Sequence, residues 1–393
     1  MNDGIPDYHP ERFVNREQEI NLVVGRAREI GGNQIVRRRT IIFAGERGSG
    51  KTWLLRHLAE VTLPPSDHPI GNRLEGTGAH AVYLSLLDWH QVAHLIRALG
   101  EQVARWQGGT SLFPRERDAP LDDLSRFLRQ DVERLVHQTP LVLLVDHVYE
   151  ADEALLAELE RRLLAPLATL PRVLLVLAGR GKPHPWVAPE LRLYVEERTL
   201  APFDVETTKA QLERQVPDKA GQASQIQQRS RGYPLANYLL AAGDDLAAVI
   251  EVILDHVESE ARTYLEALCL LRFFTEDQIR VMLAAYHDDD RYRHWEYRKA
   301  REVRDRLLTT ALTHWDSERG GYVVDEAVRL LLEQHLRERD PRCWQRLHCA
   351  AYQLYRSWAE TYPQAGAHRA DWAAEADYHA QALRQAGYAP EGC

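Results

Sequence analysis

Gly45-Glu46-Arg47-Gly48-Ser49-Gly50-Lys51-Thr52 follows the apolar run Thr40-Ile41-Ile42-Phe43-Ala44 and opens a helix-like run, Trp53-Leu54-Leu55-Arg56-His57-Leu58-Ala59. The spacing G-x-x-x-x-G-K-[ST] between a strand and a helix is that of the phosphate-binding P-loop. Its glycines let successive backbone N–H groups turn toward one point, an anion nest at a helix start. Lys51 adds a mobile cation suited to β- and γ-phosphates, and the Thr52 hydroxyl is suited to ligate Mg²⁺. The stretch predicts a nucleoside triphosphate site.

Length and composition set the frame around it. The 393 residues are 45% hydrophobic and 27% charged, the balance of a globular chain of several domains. No apolar run reaches membrane-span length, and Met1-Asn2-Asp3-Gly4-Ile5-Pro6 lacks the basic region and apolar core of a signal peptide. Cys269, Cys343, Cys349 and Cys393 form no C-x-x-C pair and no metal-ligand spacing, so they are expected as free thiols in the cytoplasm. The net charge of −9 excludes a nucleic-acid footprint over the whole surface, though not a local patch. None of the 17 histidines belongs to an H-E-x-x-H motif, and no serine sits in G-x-S-x-G.

Residues up to about Arg39 read as a polar leader. From Thr40, short Val/Leu/Ile-rich strands are predicted at Thr40 to Ala44, Ala81 to Leu86, Leu141 to Val145, Val173 to Ala178 and Leu193 to Glu197. Amphipathic helices are predicted from Trp89 to Trp106, Leu121 to His137 and Ala151 to Leu170. This alternation predicts an α/β domain, a parallel sheet covered on both faces, ending near residue 203. Beyond it the chain reads as helical. Three helices (Ser259 to Leu271, Thr275 to Tyr286, Tyr297 to Leu312) precede a hairpin through Thr313-His314-Trp315 and Tyr322-Val323-Val324, the outline of a winged helix. Two more helical patterns follow Pro341.

Two strand tips complete the chemistry. Leu141-Val142-Leu143-Leu144-Val145-Asp146 puts a carboxylate at the sheet's carboxyl edge, where it can hold Mg²⁺ directly or through water. The next position, often a second acid that polarises water, is His147. Glu150 is the nearest carboxylate able to substitute, and hydrolysis is expected to be slow, absent or completed by another subunit. Leu175-Val176-Leu177-Ala178-Gly179-Arg180 reads as the strand between these two, which would aim Arg180 at a γ-phosphate.

With these motifs in this order, the chain resembles the STAND nucleotide-switch ATPases, AAA+ relatives that include apoptosome and plant disease-resistance proteins. Phe13-Val14-Asn15-Arg16-Glu17 looks like the family's F-V-x-R-E leader, and Gly232-Tyr233-Pro234-Leu235 like the G-x-P of its helical lid. The resemblance implies an ASCE-type P-loop sheet with these segments: leader 1–39, α/β domain 40–203, lid 204–257, winged helix 258–340 and C-terminal helices 341–393. It implies that Val14, Arg16, Gly45, Gly48, Ser49, Gly50, Lys51, Thr52, Trp53 and Pro234 hold ATP or ADP. Lys51, Asp146 and Arg180 would serve catalysis, and Thr52 and Asp146 would hold Mg²⁺. It further implies a switch that opens on exchange of ADP for ATP and assembles with copies of itself or with a separately encoded effector or sensor. Two departures are visible: His147 follows Asp146, and the hydrophobic-His-Asp motif of the winged helix appears as Val323-Val324-Asp325.

Arg291, Arg293, Arg298, Lys299, Arg301, Arg304 and Arg306 form the strongest nucleic-acid candidate, with Glu296, Glu302 and Asp305 interleaved. The aromatics Trp295, Tyr297 and Trp315 are expected in the core beside it. Two alternatives stay open: an origin-recognition or helicase-loader-like ATPase that binds DNA, and a nucleotide-stabilised scaffold without turnover.

Overall fold

The computed structural model describes residues 6–32, 34, 36–45, 48–62, 78–87, 91–107, 111–113, 119–179, 186–255, 257–310, 312–316, 319–361 and 372–393. They divide into two compact units: one formed by Pro6–Ala201 with Glu213–Pro217, the other by Pro202–Leu212 with Asp218–Cys393.

The first unit is built on five strands: β1 (Thr40–Ala44), β2 (His80–Ser85), β3 (Leu141–Asp146), β4 (Val173–Gly179) and β5 (Val195–Thr199). All neighbours pair in parallel, in the order β2-β3-β4-β1-β5. Every residue of β3 and β4 is buried, which is why both read as unbroken apolar runs rather than alternations. Successive side chains go to opposite faces. Ile42, Leu143, Val145, Leu175 and Leu177 meet helices α3 (Val92–Gln107), α4 (Leu121–Gln138) and α5 (Glu153–Leu159). Ile41, Phe43, Val142, Leu144 and Val176 meet α1 (Glu17–Gly31) and α2 (Lys51–His57). The result is three layers, as expected from the sequence.

Two details of that expectation are corrected. The leader is not merely polar, since α1 buries Val23, Val24, Ala27 and Ile30 against the sheet. The last strand begins at Val195 rather than Leu193, because Leu193 and Tyr194 end the short helix Pro189–Arg192 with exposed side chains.

The second unit takes in the helix Val205–Gln215 up to Leu212, then Ala223–Ser230, Pro234–Ala242 and Leu246–Ile253. Three more follow, at Ser259–Leu268, Glu276–His287 and Tyr297–Thr309, then the antiparallel hairpin of β6 (Thr313–Asp316) and β7 (Gly321–Val324). An isolated bridge from Phe274 to Tyr322 ties the hairpin to the preceding helices. Three helices followed by a hairpin is the order of elements read from the sequence. The core there is Phe273, Phe274, Ile279, Met282 and Leu283, all nearly inaccessible. Tyr297 and Trp315 were expected there but are 45% and 47% exposed, and Trp295 is only partly buried. Tyr297 lies under Arg301 and Trp295 under Lys299, so both pack on cations at the surface instead.

Helices Pro341–Thr361 and Trp372–Gln385 pack against each other and bring residue 393 back to the first of them. Cys349 and Cys393 are joined there as a disulfide, with Cα atoms 5.2 Å apart. The expectation of four free thiols therefore fails for this pair and holds for buried Cys269 and Cys343. A separation of 44 residues hid the partnership, which only the helix packing creates. No helix among the described residues is long and apolar enough to cross a membrane.

The same two helices bury His348 and His379 completely, with their Nδ1 atoms 2.9 Å apart and neither Nε2 hydrogen-bonded, although His348 Nε2 stands 4.0 Å from Glu333 Oε1. Burial, reinforced by Arg337, pulls the His348 imidazolium down to about 3. Burial and then His348 pull His379 the same way. The pair is therefore neutral in the fold, whereas the unfolded chain takes up these protons near the ordinary value of 6.5. Stability should fall as pH drops below that value, by about 2 kcal/mol at pH 5 from His348 alone, with His379 acting in the same direction. Thermal unfolding at pH 7 and pH 5 checks this. The His348→Leu/His379→Leu double variant should show a clearly smaller drop than the wild type.

Candidate functional site

The loop between β1 and α2 turns through left-handed glycines, with φ of 86° at Gly48 and 98° at Gly50. A side chain at either position would be strained there, and the turn is what carries the chain into α2 with its N–H groups leading. Lys51 is buried and folds back over the loop, its Nζ donating to Gly45 O at 2.6 Å and to Ser49 Oγ at 3.1 Å. The ammonium thus sits inside the curl of backbone where phosphate oxygens would be received. Glu46 and Arg47 lie outside the described residues.

The leader fastens this loop from behind. Asn15 and Arg16 both take positive φ, 58° and 75°, and the Asn15 side chain accepts from Arg16 N at 2.7 Å. That strained turn aims the Arg16 guanidinium inward, where it donates to Ser49 O at 3.0 Å and to Ala201 O at 2.8 Å. Phe13 and Val14 are buried beside it, with Phe13 stacked on His57. Trp53 meets Tyr8 of the leader edge-on. Arg16 is therefore a strut of the P-loop itself.

At the tip of β3, Asp146 is 1% exposed and its two oxygens face different donors. Oδ2 accepts from Tyr83 Oη at 3.0 Å and Oδ1 from His147 N at 2.9 Å. Burial, with the Asp146 carboxylate adding to it, raises the Tyr83 phenol well above its ordinary range, so Tyr83 stays a donor. Arg56 lies over the Tyr83 ring. His147 is in the left-handed region, φ 58°. Its Nε2 is 3.5 Å from Thr52 Oγ1, and its Nδ1 is 3.2 Å from Ser85 Oγ and 3.5 Å from Asp146 Oδ2.

The sequence reading thus brings Lys51, Thr52, Ser49 and Asp146 to one edge of the sheet, with Arg16 behind them. It missed Tyr83 and Ser85. Both belong to β2, and Ser85 stands level with Asp146 only because β2 pairs with β3 in that register. No motif in β2 signals this; the strand order does. β4 does lie between β1 and β3, as read from sequence. Arg180 itself and the side chain of Glu150 fall outside the described residues, as do most residues of the loops after β2 and β4. Pro234 opens a helix of the second unit.

The oxygens of Thr52 and Asp146 fit a divalent cation held together with phosphate. Thr52 Oγ1 offers an inner oxygen, and Asp146, already accepting two hydrogen bonds, suits contact through water. Among the described residues no three His, Cys, Asp or Glu side chains converge on a metal, so phosphate oxygens would have to complete the set. A Mg²⁺ bound there would offset the negative charge of those phosphates.

A P-loop between β1 and α2, a buried aspartate at the tip of β3 and an inserted β4 decide the comparison. Residues 12–176 match the AAA ATPase domain. Known structures are similar over a longer stretch of the chain. The Walker-type ATPase of Pyrococcus abyssi is similar at 16% identity with a TM-score of 0.51, over 83% of this chain and 97% of that one. At that identity the likeness speaks for the fold. A STAND protein with a tetratricopeptide repeat sensor from Pyrococcus horikoshii aligns more loosely (14% identity, TM-score 0.40, 92% of this chain and 52% of that one). So does the ORC1 protein of Aeropyrum pernix, solved in complex with DNA (16% identity, TM-score 0.37, 87% and 95%). No curated protein sequence matches the chain.

Proposed function

We propose that the chain is a STAND-type nucleotide switch, an ATP- and ADP-binding protein whose bound nucleotide selects between a closed and an assembly-competent arrangement. The observation that supports it most is Arg16: a buried leader arginine hydrogen-bonded to the backbone of the phosphate loop, so that whatever occupies the loop is felt by the leader. Val14 and Pro234 are proposed to touch the base, Gly45 and Gly48 to Trp53 the phosphates, and Arg180 the γ-phosphate. A γ-phosphate adds charge next to Lys51, and only such differential binding can bias two arrangements. Moving a population from 1:99 to 99:1 needs roughly 5.5 kcal/mol, within reach of several charge-assisted hydrogen bonds.

His147 stands where a second carboxylate would polarise water, which supports slow turnover or a scaffold that holds nucleotide without turning it over. Asp325 of the winged-helix motif caps the helix Glu326–Arg339 through Val328 N, and buried Val324 stands where that motif has its histidine. The DNA-binding alternative is disfavoured by charge pairing. Arg291, Arg293, Arg298, Arg304 and Arg306 each face a carboxylate, on Asp289, Asp290, Glu302, Glu276 and Glu260 respectively, while Lys299 and Arg301 cover aromatic rings. Little net positive field is left for phosphate backbones.

Small-angle scattering and size-exclusion chromatography of the ADP complex and of the complex with a non-hydrolysable ATP analogue test the switch. The ATP-analogue form should be larger, by extension or by self-assembly. Identical profiles for the two would reject the switch and leave the scaffold reading.

A further inference from the structure

We propose that the cation site beside the P-loop contains an imidazole nitrogen, His147 Nε2, and so prefers a borderline first-row divalent ion, Mn²⁺, Co²⁺, Ni²⁺ or Zn²⁺, over Mg²⁺. The inference rests on the nucleotide reading above, since phosphate oxygens must complete the coordination.

Three observations carry it. First, His147 Nε2 lies 3.5 Å from Thr52 Oγ1, the hydroxyl expected on the metal. That is the outer limit of a hydrogen bond. It is close to the separation of two adjacent ligands around one ion, roughly 3 Å for octahedral bonds of 2.0–2.1 Å. Second, the opposite edge of the ring is held. Nδ1 faces Ser85 Oγ at 3.2 Å and Asp146 Oδ2 at 3.5 Å. The tautomer with its proton on Nδ1 can donate to those oxygens, and it leaves the lone pair on Nε2. This hydroxyl- and carboxylate-backed imidazole is how metal-bound histidines are oriented in proteins. Third, the backbone at His147 adopts the left-handed conformation, φ 58°, which is unfavourable for a residue with a side chain. A residue held in that conformation after a buried strand end points its ring toward α2 rather than along the chain.

The chemistry of the donor set then decides the ion. Mg²⁺ takes oxygen ligands and gives up water reluctantly, whereas imidazole favours the later divalent ions. A carboxylate at this position would keep the site all-oxygen. With histidine there, the neutral imidazole can replace one water of the cation's shell without adding charge.

The test uses the full chain with ADP and Mn²⁺, labelled with either ¹⁴N- or ¹⁵N-histidine, and reads the electron spin echo of the bound manganese. A nitrogen coupling that changes with the histidine isotope is expected, and it should vanish in His147→Asp. In parallel, ADP affinity measured with Co²⁺ against Mg²⁺ should favour Co²⁺ by about tenfold more in the wild type than in His147→Asp. Manganese bound with ADP but without histidine coupling overturns the proposal while leaving the nucleotide reading intact. Failure of ADP to bind with or without any of these cations overturns both.

Discussion

Lys51→Ala should lose ATP and ADP affinity by at least about a hundredfold, close to 3 kcal/mol. The ammonium is buried within the phosphate loop, and its partners include oxygens of the loop itself, Gly45 O and Ser49 Oγ. Phosphate oxygens would replace them, exchanging neutral acceptors for anionic ones, so removing the ammonium takes away the strongest charge-assisted bonds available there. The nucleotide-free variant should fold, because alanine leaves the turn glycines and the Arg16 strut in place. The readout is therefore double. Calorimetry should show the affinity loss, and the rise in unfolding temperature that saturating nucleotide gives the wild type should disappear. A variant that keeps both would remove the P-loop from the account.

Gly232→Ala should destabilise the second unit by about 3 kcal/mol or more. Gly232 has φ +74°, and a Cβ there would lie 2.0 Å from Phe203 O. Retreat is blocked because Phe203 N donates to Gly232 O at 2.7 Å, pinning the two segments together. Next to this crossing, buried Asn237 bonds to Thr208 Oγ1, Gln211 Oε1 and Ser230 Oγ, and Gln211 donates to Pro234 O. An alanine at Gly232 pushes on a polar network with every partner in place, where displacement leaves buried groups unpaired. Gly221→Ala is the control: no atom lies within 4 Å of its added methyl, and its effect should stay within about 0.5 kcal/mol. Urea unfolding of both variants gives the comparison. Equal stabilities would mean that the Gly232 crossing is not as tight as its geometry requires.

These two glycines also show what a sequence displays and what it conceals. The motif around Gly232 is visible as Gly-Tyr-Pro, but its severity comes from Phe203, a residue with no local relation to it. The same holds at the nucleotide site. β3 and β4 were legible because strands buried on both faces must be apolar throughout, and Thr52 and Asp146 because their chemistry demands fixed spacing from a strand end. Tyr83 and Ser85 were not, since ordinary strand residues acquire meaning only from the pairing of β2 with β3. The leader looked polar because α1 buries one stripe, Val23, Val24, Ala27 and Ile30, among charged neighbours. Trp295, Tyr297 and Trp315 misled in the opposite sense. Aromatic rings are usually interior, but cations and other rings can hold them at the surface. Cys349 and Cys393 met through helix packing that no spacing rule encodes.

Everything proposed for this chain stands on one nucleotide bound in the loop from Gly45 to Thr52. Calorimetric titration of ATP and ADP into the nucleotide-stripped wild-type chain, with a divalent cation present, measures that directly. Saturable binding of one nucleotide per chain, abolished in Lys51→Ala, is the expected result. Absence of binding at millimolar concentrations of both nucleotides would contradict it.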